Sequence, residues 1–537
     1  MQSVCDRRTL LGMAAGAAVA TGLNGSAVAQ EAQRAASGDA AARGTGKRAN
    51  LVLFLPDEMR ADALGCYGNP VCRTPNYDRL AAQGTMFRDC HVQFPVCGAS
   101  RCSLLTGWPT SVHGHRSLYY FLRPDEPNMF RYLRQAGYDV YWFGKNDALS
   151  QASFADSVTQ WYDNPSRLPQ ATPRRGAASE PAPPLTFLTE GAAPDRRSTN
   201  DYLLVQRAIE VLERRSAGRP FCIFLATANP HPPYRAPAGF EAMYDPETLP
   251  PLISPALAGK PLFHSAIRKS YQLDTVSDAE LRRVRATYYG QVSYTDWLLG
   301  ELMAAIDRTG HADDTALIAS SDHGDYAGDY GLVEKWPSGQ EDCLTHVPLL
   351  ARMPGGAAGH VVDEVNELFD IMPTMLELAG TRATHTHFAR SLVPQLRGAP
   401  GDPLRAAFVE GGYNVYEPQA FEPKLGGLYG PKTNLQNDQP ASVSRVASVK
   451  TPRFSFTARP GAEGELYDRK KDPGLTVNLI NSRAHNKVRE DMQVRLMNRY
   501  INTTGVPPRD KDSRDTPPFY PTPDFNEAAR ALEVTGD

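Results

Sequence analysis

The chain has almost no excess charge of either sign and no long apolar run beyond its N-terminus. Its 537 residues include 57 basic and 60 acidic side chains, a formal net charge of −3. This balance gives no support for nucleic acid or an anionic membrane surface as a main partner. A bilayer span needs about 20 consecutive apolar residues. We therefore expect no membrane span in the mature chain.

Cysteine is scarce, and its spacing excludes the common thiolate zinc sites. The chain has eight cysteines and no C-x-x-C pair, so a zinc site built from paired thiolates is not expected. Cys5 lies in the N-terminal segment that we expect to be removed. An odd number of cysteines then remains, so at least one stays outside any disulfide.

Residues 1–29 have the features of an export signal. Arg7 and Arg8 precede an apolar run over residues 10–23, and Ala27-Val28-Ala29 matches the small-x-small cleavage pattern. Paired arginines favour twin-arginine export of an already folded protein; a general secretory signal or an N-terminal anchor is the alternative. We therefore predict a periplasmic or secreted protein with an Ala/Gly-rich, disordered tether over residues 30–48.

Four short apolar runs, each typical of a buried β-strand, end on polar residues. The runs cover residues 51–55, 138–143, 221–227 and 315–320, and helical patterns separate them. This alternation predicts an α/β fold with a mainly parallel sheet between layers of helices. Ligands bind at the carboxyl ends of the strands in such sheets. We expect these polar residues to converge there: Asp57, Glu58, Lys145, His231, Asp322 and His323.

The sequence pattern, and with it the predicted secondary structure, changes after residue 385. Short β-like runs at residues 407–409, 444–449 and 454–457 alternate with turn-rich segments, and a helix is predicted over residues 484–501. We predict a catalytic domain over residues 49–385 and a smaller α+β subdomain with an antiparallel sheet over residues 386–505. A Pro- and Asp-rich tail follows over residues 506–537.

The strand-end residues suit a hard divalent cation beside an oxyanion. Carboxylates and an imidazole favour Ca²⁺ or Mg²⁺ over zinc or copper; the candidates are Asp57, Glu58, Asp322 and His323. Basic side chains around a metal suit a small tetrahedral oxyanion; here they are Arg101, Lys145 and Lys335. His231 is a candidate general acid, and Cys97 or a derivative of it is a candidate nucleophile. The residues alone favour sulfate or phosphate ester hydrolysis without choosing between them.

One stretch resembles a known family signature. Cys97-Gly98-Ala99-Ser100-Arg101, followed by Leu105-Thr106-Gly107, is similar to the C-x-P/A-S-R…L-T-G pattern of the formylglycine-dependent sulfatases of the alkaline-phosphatase superfamily. Ser321-Asp322-His323-Gly324 and Thr345-His346-Val347-Pro348 resemble the iduronate-2-sulfatase-like branch most closely. Further similar segments at residues 50–57, 65–69, 74–80 and 465–468 extend the likeness along nearly the whole mature chain.

The resemblance implies an alkaline-phosphatase-like fold and an enzyme that hydrolyses a sulfate monoester. It implies that a maturation enzyme converts Cys97 to formylglycine, whose hydrate attacks sulfur. By resemblance the metal is Ca²⁺ rather than Mg²⁺, and its implied ligands are Asp57, Glu58, the modified Cys97, Asp322 and His323. The implied substrate is a sulfated small molecule or glycan, and a sulfated carbohydrate is favoured over an aryl sulfate.

The resemblance also implies the other catalytic roles. Arg101 fixes the hydrated aldehyde. Lys145 and Lys335 hold the sulfate oxygens and the leaving oxygen, and His231 donates a proton to that oxygen.

Three positions depart from the family pattern. Glu58 stands where the second metal residue is usually Asp. Lys145-Asn146-Asp147 replaces Lys-x-His, so Asp147, His113 or His115 would have to substitute for the histidine. Ala99 stands where many members have Pro, which makes the modification of Cys97 a hypothesis. Two alternatives stay open: a phosphonate monoester or phosphodiester hydrolase of the same superfamily, and a non-catalytic glycan-binding relative.

Overall fold

The computed structural model describes residues 48–163, 186–189, 191–214, 218–424 and 427–505. The predicted export signal, nearly all of the predicted tether and the predicted tail after residue 505 lie outside the described residues. Their assignments, like the domain boundaries, stay predictions. Within the described ranges, no helix combines the length and apolar character needed to cross a membrane.

An eight-stranded sheet carries the strand ends that the sequence analysis singled out. Its strands are β1 (Asn50–Phe54), β2 (Thr85–His91), β3 (Asp139–Gly144), β4 (Gln160–Tyr162), β5 (Phe221–Ala226), β6 (Thr315–Ser320), β7 (His346–Arg352) and β8 (His360–Glu367). They lie in the order β4-β3-β5-β1-β6-β7-β2-β8. β7 is antiparallel to β6 and β2, and the other pairs are parallel. The sheet is therefore mixed and mainly parallel, which confirms the predicted α/β class.

Helices lie on both faces of this sheet. The helices are α1 (Pro75–Gln83), α2 (Cys97–Thr106), α3 (Thr110–His113), α4 (Met129–Gln135), α5 (Phe154–Ser157), α6 (Asn200–Arg214), α7 (Leu262–Ser270), α8 (Asp278–Arg308), α9 (Asp342–Thr345), α10 (Ile371–Leu378), α11 (Val393–Leu396), α12 (Gly430–Asp438) and α13 (Asn486–Thr503). Alternate side chains of β1 point to opposite faces. Val52 and Phe54 join the core that α6 and α8 cover, whereas Leu51 and Leu53 join the core that α2, α4 and α10 cover.

A second, four-stranded antiparallel sheet follows in the chain. It consists of β9 (Ala407–Gly411), β10 (Val446–Lys450), β11 (Phe454–Ala458) and β12 (Glu465–Asp468), in the order β12-β11-β10-β9. Met492 and Leu496 of α13 pack against Val449 and Phe456 of this sheet. The backbone N–H of Glu410 donates to the carbonyl of Gln93 over 2.8 Å, which ties β9 to the loop between β2 and α2.

Four strands of the large sheet were not predicted from the sequence. β4 is an edge strand of only three residues. β2, β7 and β8 lie together on one side of β6, where two antiparallel pairings occur; β2 and β8 carry charged residues between apolar ones, and β7 contains Pro348. A continuous apolar run identifies a strand buried on both faces, so this signal found β1, β3, β5 and β6 and missed the other four.

Candidate active site

The carboxyl ends of the central strands meet at one place. Asp57 and Glu58 follow β1, and the N–H of Asp57 donates to the carbonyl of Thr227 beyond β5 over 3.1 Å. Lys145 follows β3, and its N–H donates to the carbonyl of Ala226 over 3.1 Å. Asp322 follows β6, and one of its carboxylate oxygens accepts from the N–H of Glu58 over 3.2 Å. The predicted convergence of these polar residues is therefore present.

Helix α2 brings Cys97 and Arg101 to the same place. Cys97 is its first residue, and all ten of its residues are buried. Ser100 ties the helix to the end of β6, because its hydroxyl donates to the carbonyl of Asp322 over 2.6 Å. One turn after Cys97, the Nε of Arg101 donates to Oδ2 of Asp322 over 2.7 Å, and its Nη2 lies 3.5 Å from Oδ2 of Asp57. Arg101 thus holds both carboxylates from one side.

Four buried side chains form a cluster with the geometry of a metal site. Asp57, Cys97, Asp322 and His323 each offer one ligand atom, and these atoms lie within 4.8 Å of one another. The Cys97 sulfur is 3.1 Å from Nε2 of His323 and 3.4 Å from Oδ1 of Asp57. The Nδ1–H of His323 donates to the carbonyl of Gly324 over 2.9 Å, so Nε2 is directed into the cluster.

This donor set fits a hard divalent cation, provided that position 97 offers oxygen. Two carboxylates and one imidazole suit Ca²⁺ or Mg²⁺. A thiol suits them poorly, and burial together with Asp57 raises the pKa of the Cys97 thiol far above its ordinary value. The cluster therefore favours an oxygen-bearing derivative of Cys97 over the thiol itself.

Lys145 lies between two carboxylates and the cysteine. Its Nζ is 2.5 Å from Oδ2 of Asp57, 2.9 Å from Oδ2 of Asp147 and 3.5 Å from the Cys97 sulfur. Although burial opposes ionisation, Asp147 and Asp57 raise the pKa of Lys145. In turn Lys145, His231 and Arg101 lower the pKa of Asp57 against the effect of burial. Both groups are therefore charged at neutral pH.

Glu58 faces a second group rather than the four-residue cluster. Its Oε2 lies 3.3 Å from Nε2 of His231 and 3.2 Å from Nζ of Lys335. With Asp57 and His231 it forms another triplet of potential ligands that shares Asp57 with the cluster. The backbone of Glu58 has φ +68°, a left-handed conformation that costs a non-glycine residue about 1 kcal/mol or more. The strained turn directs Glu58 and Asp57 to neighbouring parts of one site.

His231 is held as a neutral imidazole. Its Nδ1–H donates to the carbonyl of Pro232 over 2.5 Å, and its Nε2 accepts from Nζ of Lys335 over 3.0 Å. Burial and Lys335 lower the pKa of His231 well below its ordinary value. His231 is therefore connected to Lys335, one of the two lysines that the resemblance places at the sulfate and leaving oxygens.

The structure distinguishes the three residues that could replace the histidine of the Lys-x-His pattern, namely Asp147, His113 and His115. Asp147 forms the 2.9 Å ion pair with Lys145. His113 and His115 instead lie 3.4 Å and 2.9 Å from the carboxylate of Glu126, and His113 stacks on Trp108 with ring centroids 4.3 Å apart. Of these three, Asp147 is the one in contact with Lys145.

Two residues in contact with this site were missed by the sequence analysis. The Glu334 carboxylate lies 2.9 Å from Nζ of Lys335 and 2.9 Å from Nζ of Lys432 on α12. Glu334 precedes Lys335 in the sequence, and this adjacency is the only signal that could have identified it. No sequence signal marks Lys432, which lies on α12.

The sheet, the helices on its two faces and the polar cluster at its strand ends define an alkaline-phosphatase-like α/β enzyme. A family model described as Sulfatase matches residues 49–381. The multifunctional alkaline phosphatase superfamily protein PehA of Trinickia caryophylli is 31% identical over 412 residues, which cover 66% of this chain and 78% of that protein. Iduronate 2-sulfatase of Homo sapiens is 28% identical over 392 residues, covering 66% and 69% of the two chains.

A solved structure shares the fold over most of its length. The phosphonate monoester hydrolase of Agrobacterium radiobacter superposes with a TM-score of 0.69 at 24% identity, covering 85% of this chain and 96% of that chain. The family model and the 31% identity to PehA show the family. The chain belongs to the sulfatase family.

Proposed function

We propose that this protein hydrolyses a sulfate monoester, with a formylglycine derived from Cys97 and a bound Ca²⁺ at its centre. The observation that carries the proposal is the placement of Cys97. Its sulfur lies within one buried cluster with Asp57, Asp322 and His323, and Nζ of Lys145 is 3.5 Å away. A nucleophile beside a cation and a lysine suits attack on an oxyanion ester.

The proposed metal ligands are Asp57, Glu58, Asp322, His323 and the modified residue 97. When present, the metal and the aldehyde hydrate supply a polarised hydroxyl nucleophile. The 2.9 Å bond from His323 Nδ1 to Gly324 keeps its Nε2 on the ligand side. Glu58 is the least direct of the proposed ligands, since its carboxylate also contacts His231 and Lys335.

The basic residues have the remaining proposed catalytic roles. Arg101 bridges Asp322 and Asp57 and fixes the group at position 97. Lys145 and Lys335 approach the site from β3 and from the loop after β6, and they hold the sulfate and the leaving oxygen. Nε2 of neutral His231 accepts from Nζ of Lys335, so the proton that His231 gives to the leaving oxygen comes from the Lys335 ammonium, which is left neutral. Asp147, in contact with Lys145, takes the place of the family's histidine.

A sulfated carbohydrate is the proposed substrate class and is favoured over an aryl sulfate. Tyr119, Tyr120 and Tyr416 are 50%, 44% and 88% exposed. Arg116 binds Glu417 through two bonds of 3.0 Å and 2.8 Å and so joins the two loops that carry these rings. Exposed aromatic rings suit the apolar face of a sugar, and the first loop reaches the site, since Ser117 packs against Gly98 of α2.

Phosphonate monoester or phosphodiester hydrolysis is the second candidate. It is favoured by the fold shared with the phosphonate monoester hydrolase of Agrobacterium radiobacter and by the Asp147 and Glu58 departures, whereas Lys145 and the Asp322-His323 pair favour sulfate. Turnover of nitrophenyl sulfate against a phenylphosphonate monoester and a bis-nitrophenyl phosphate distinguishes the two. We expect the highest kcat/KM for the sulfate. A higher kcat/KM for either phosphorus ester would replace the proposal by the second candidate.

A non-catalytic glycan-binding role is the remaining alternative. Cys97→Ala is the matched variant, because it removes the reacting group and leaves a small apolar side chain at a buried position. We expect it to abolish turnover while thermal unfolding stays cooperative. Equal glycan binding by the wild type and this variant, with no turnover by either, would favour the binding role instead.

The proposed setting of this chemistry is the periplasm or the extracellular space, after twin-arginine export. The arginine pair and the cleavage pattern of residues 1–29 support this setting. The maturation enzyme that oxidises Cys97 is a proposed partner. N-terminal sequencing of exported protein should give a start at Gln30.

A further inference from the structure

Lys432 is a buried lysine that contacts the site through Glu334. It lies on α12 with 2% of its surface exposed. Its Nζ donates to Oε1 and Oε2 of Glu334 over 2.9 Å and 3.0 Å. The same Oε1 accepts from Nζ of Lys335 over 2.9 Å. One buried carboxylate is therefore shared by two buried lysines.

Nζ of Lys335 has hydrogen bonds to two side chains and an ion-pair contact with a third. It donates to Oε1 of Glu334 over 2.9 Å and to Nε2 of His231 over 3.0 Å, and it lies 3.2 Å from Oε2 of Glu58. In a buried site a carboxylate so close to a lysine cancels most of its field. With Lys335 alone, Glu334 would leave little positive charge for an oxyanion. With Lys432, the three residues Glu334, Lys335 and Lys432 carry one net positive charge. Two further carboxylates lie nearby, Glu58 at 3.2 Å from Nζ of Lys335 and Glu422 at 3.9 Å from Nζ of Lys432.

Glu334 is fixed in place by its backbone as well as by the lysines. Its φ of +60° is left-handed, and its N–H donates to the Tyr234 hydroxyl over 2.9 Å. Its carbonyl accepts from the N–H of Tyr326 over 3.1 Å. Although burial opposes ionisation, Lys335 and Lys432 lower the pKa of Glu334 to about 2. The carboxylate thus stays charged and cannot move away from Lys335.

We propose that Lys432 is a positioning residue for sulfate binding and turnover. It neutralises Glu334, so the charge of Lys335 remains available to the sulfate and its leaving oxygen. Lys432 does not touch substrate, because it is buried behind Glu334. This inference rests on the proposed function, in which Lys335 holds sulfate oxygens.

The test compares Lys432→Met, Glu334→Gln and the double variant. Lys432→Met leaves Glu334 to neutralise Lys335, and we expect kcat for nitrophenyl sulfate to fall at least about tenfold. Inhibition by inorganic sulfate should weaken by a similar factor. Glu334→Gln removes the competing charge and should leave sulfate inhibition as strong as in the wild type, or stronger. The double variant should recover most of what Lys432→Met loses.

Lys450→Met is the matched control. Lys450 is also fully buried and donates to a carboxylate, that of Asp342, over 2.6 Å, but it has no contact with Lys335. Its loss should lower the melting temperature and leave kcat within about twofold of the wild type.

Three results would overturn the inference. One is a Lys432→Met variant with wild-type kcat and sulfate inhibition. Another is a double variant as impaired as Lys432→Met. The third is weakened sulfate inhibition in Glu334→Gln, which can be measured even if Lys432→Met does not fold. An inactive wild type would count against the proposed function. The role of Lys432 could then still be tested, by comparing how much inorganic sulfate protects the wild type and the same variants against thermal unfolding.

Discussion

Nε2 of His323 lies 3.1 Å from the sulfur of Cys97, and both side chains are buried. The imidazole has its other N–H bonded to Gly324, so the atom that faces Cys97 is an unprotonated nitrogen in the neutral form. A nitrogen in this position can bind a cation that also binds residue 97. In the proposed function this pair would join the modified residue 97 to the metal.

Protein purified in active form should lack a free thiol at residue 97. Trypsin releases Asp89–Arg101, a peptide that contains both Cys90 and Cys97. We expect mass spectrometry of alkylated digests to find an aldehyde at Cys97 and an alkylated thiol at Cys90. Cys90 is also buried, so it controls for non-specific oxidation. Active protein in which both cysteines are alkylated would contradict the mechanism.

Removal of the metal should abolish turnover, and Ca²⁺ should restore it better than Mg²⁺. Chelation leaves the carboxylates of Asp57 and Asp322 facing one another with Arg101 and Lys145 as their main partners. In Asp322→Asn, the Ca²⁺ concentration for half-maximal activity should rise at least about tenfold. Glu58→Gln should produce a similar rise if Glu58 is a ligand. A lower kcat with unchanged Ca²⁺ dependence in Glu58→Gln would place Glu58 with Lys335 instead.

Asp147→Ala should lower kcat by about 10²-fold. Asp147 is the carboxylate that contacts Lys145 at the position of the family's histidine. Asp147→His restores the family pattern and should retain most of the turnover. His113→Ala serves as the control, because His113 faces Glu126 and Trp108. A large loss in His113→Ala with little loss in Asp147→Ala would reverse this assignment.

Burial of His385 should make its contribution to stability depend on pH. Burial lowers the pKa of His385 to about 4 from an ordinary 6.5, so the unfolded chain binds a proton there at a higher pH than the folded chain. The native state therefore loses stability as pH falls from about 6.5 to 4. The stability advantage of the wild type over His385→Gln should shrink by on the order of 3 kcal/mol across this range.

Urea unfolding of both proteins at several pH values measures that difference. Other titrating groups occur in both proteins and cancel in the comparison. A gap between the two proteins that stays constant from pH 7 to pH 4 would refute the prediction.

The centre of the fold could be predicted from the sequence better than its periphery. β1, β3, β5 and β6 are continuous apolar runs because both of their faces are covered, and they were found. β2 and β8 were not, since charged residues such as Arg88 and Asp363 interrupt their apolar pattern. Register and strand order depend on contacts between distant residues, which no local pattern records.

The residues of the site also differ in how well they could be predicted from the sequence. Asp57, Lys145 and Asp322 follow strands directly, so the rule for strand ends was enough to bring them together. Lys432 depends on the path of a long connection after residue 411, and its contact with Glu334 could not be anticipated. The orientation of Glu58 toward Lys335 depends on one backbone angle, which composition and spacing do not determine.

The complete burial of helix α2 has a consequence for the proposed modification of Cys97. All ten residues of the folded helix are buried, so a maturation enzyme could not reach Cys97 in the folded protein. If Cys97 is oxidised as proposed, oxidation has to precede folding. If export follows the twin-arginine route, folding in turn precedes translocation. The compartment in which the protein is made, rather than the one in which it works, then determines whether it is ever active.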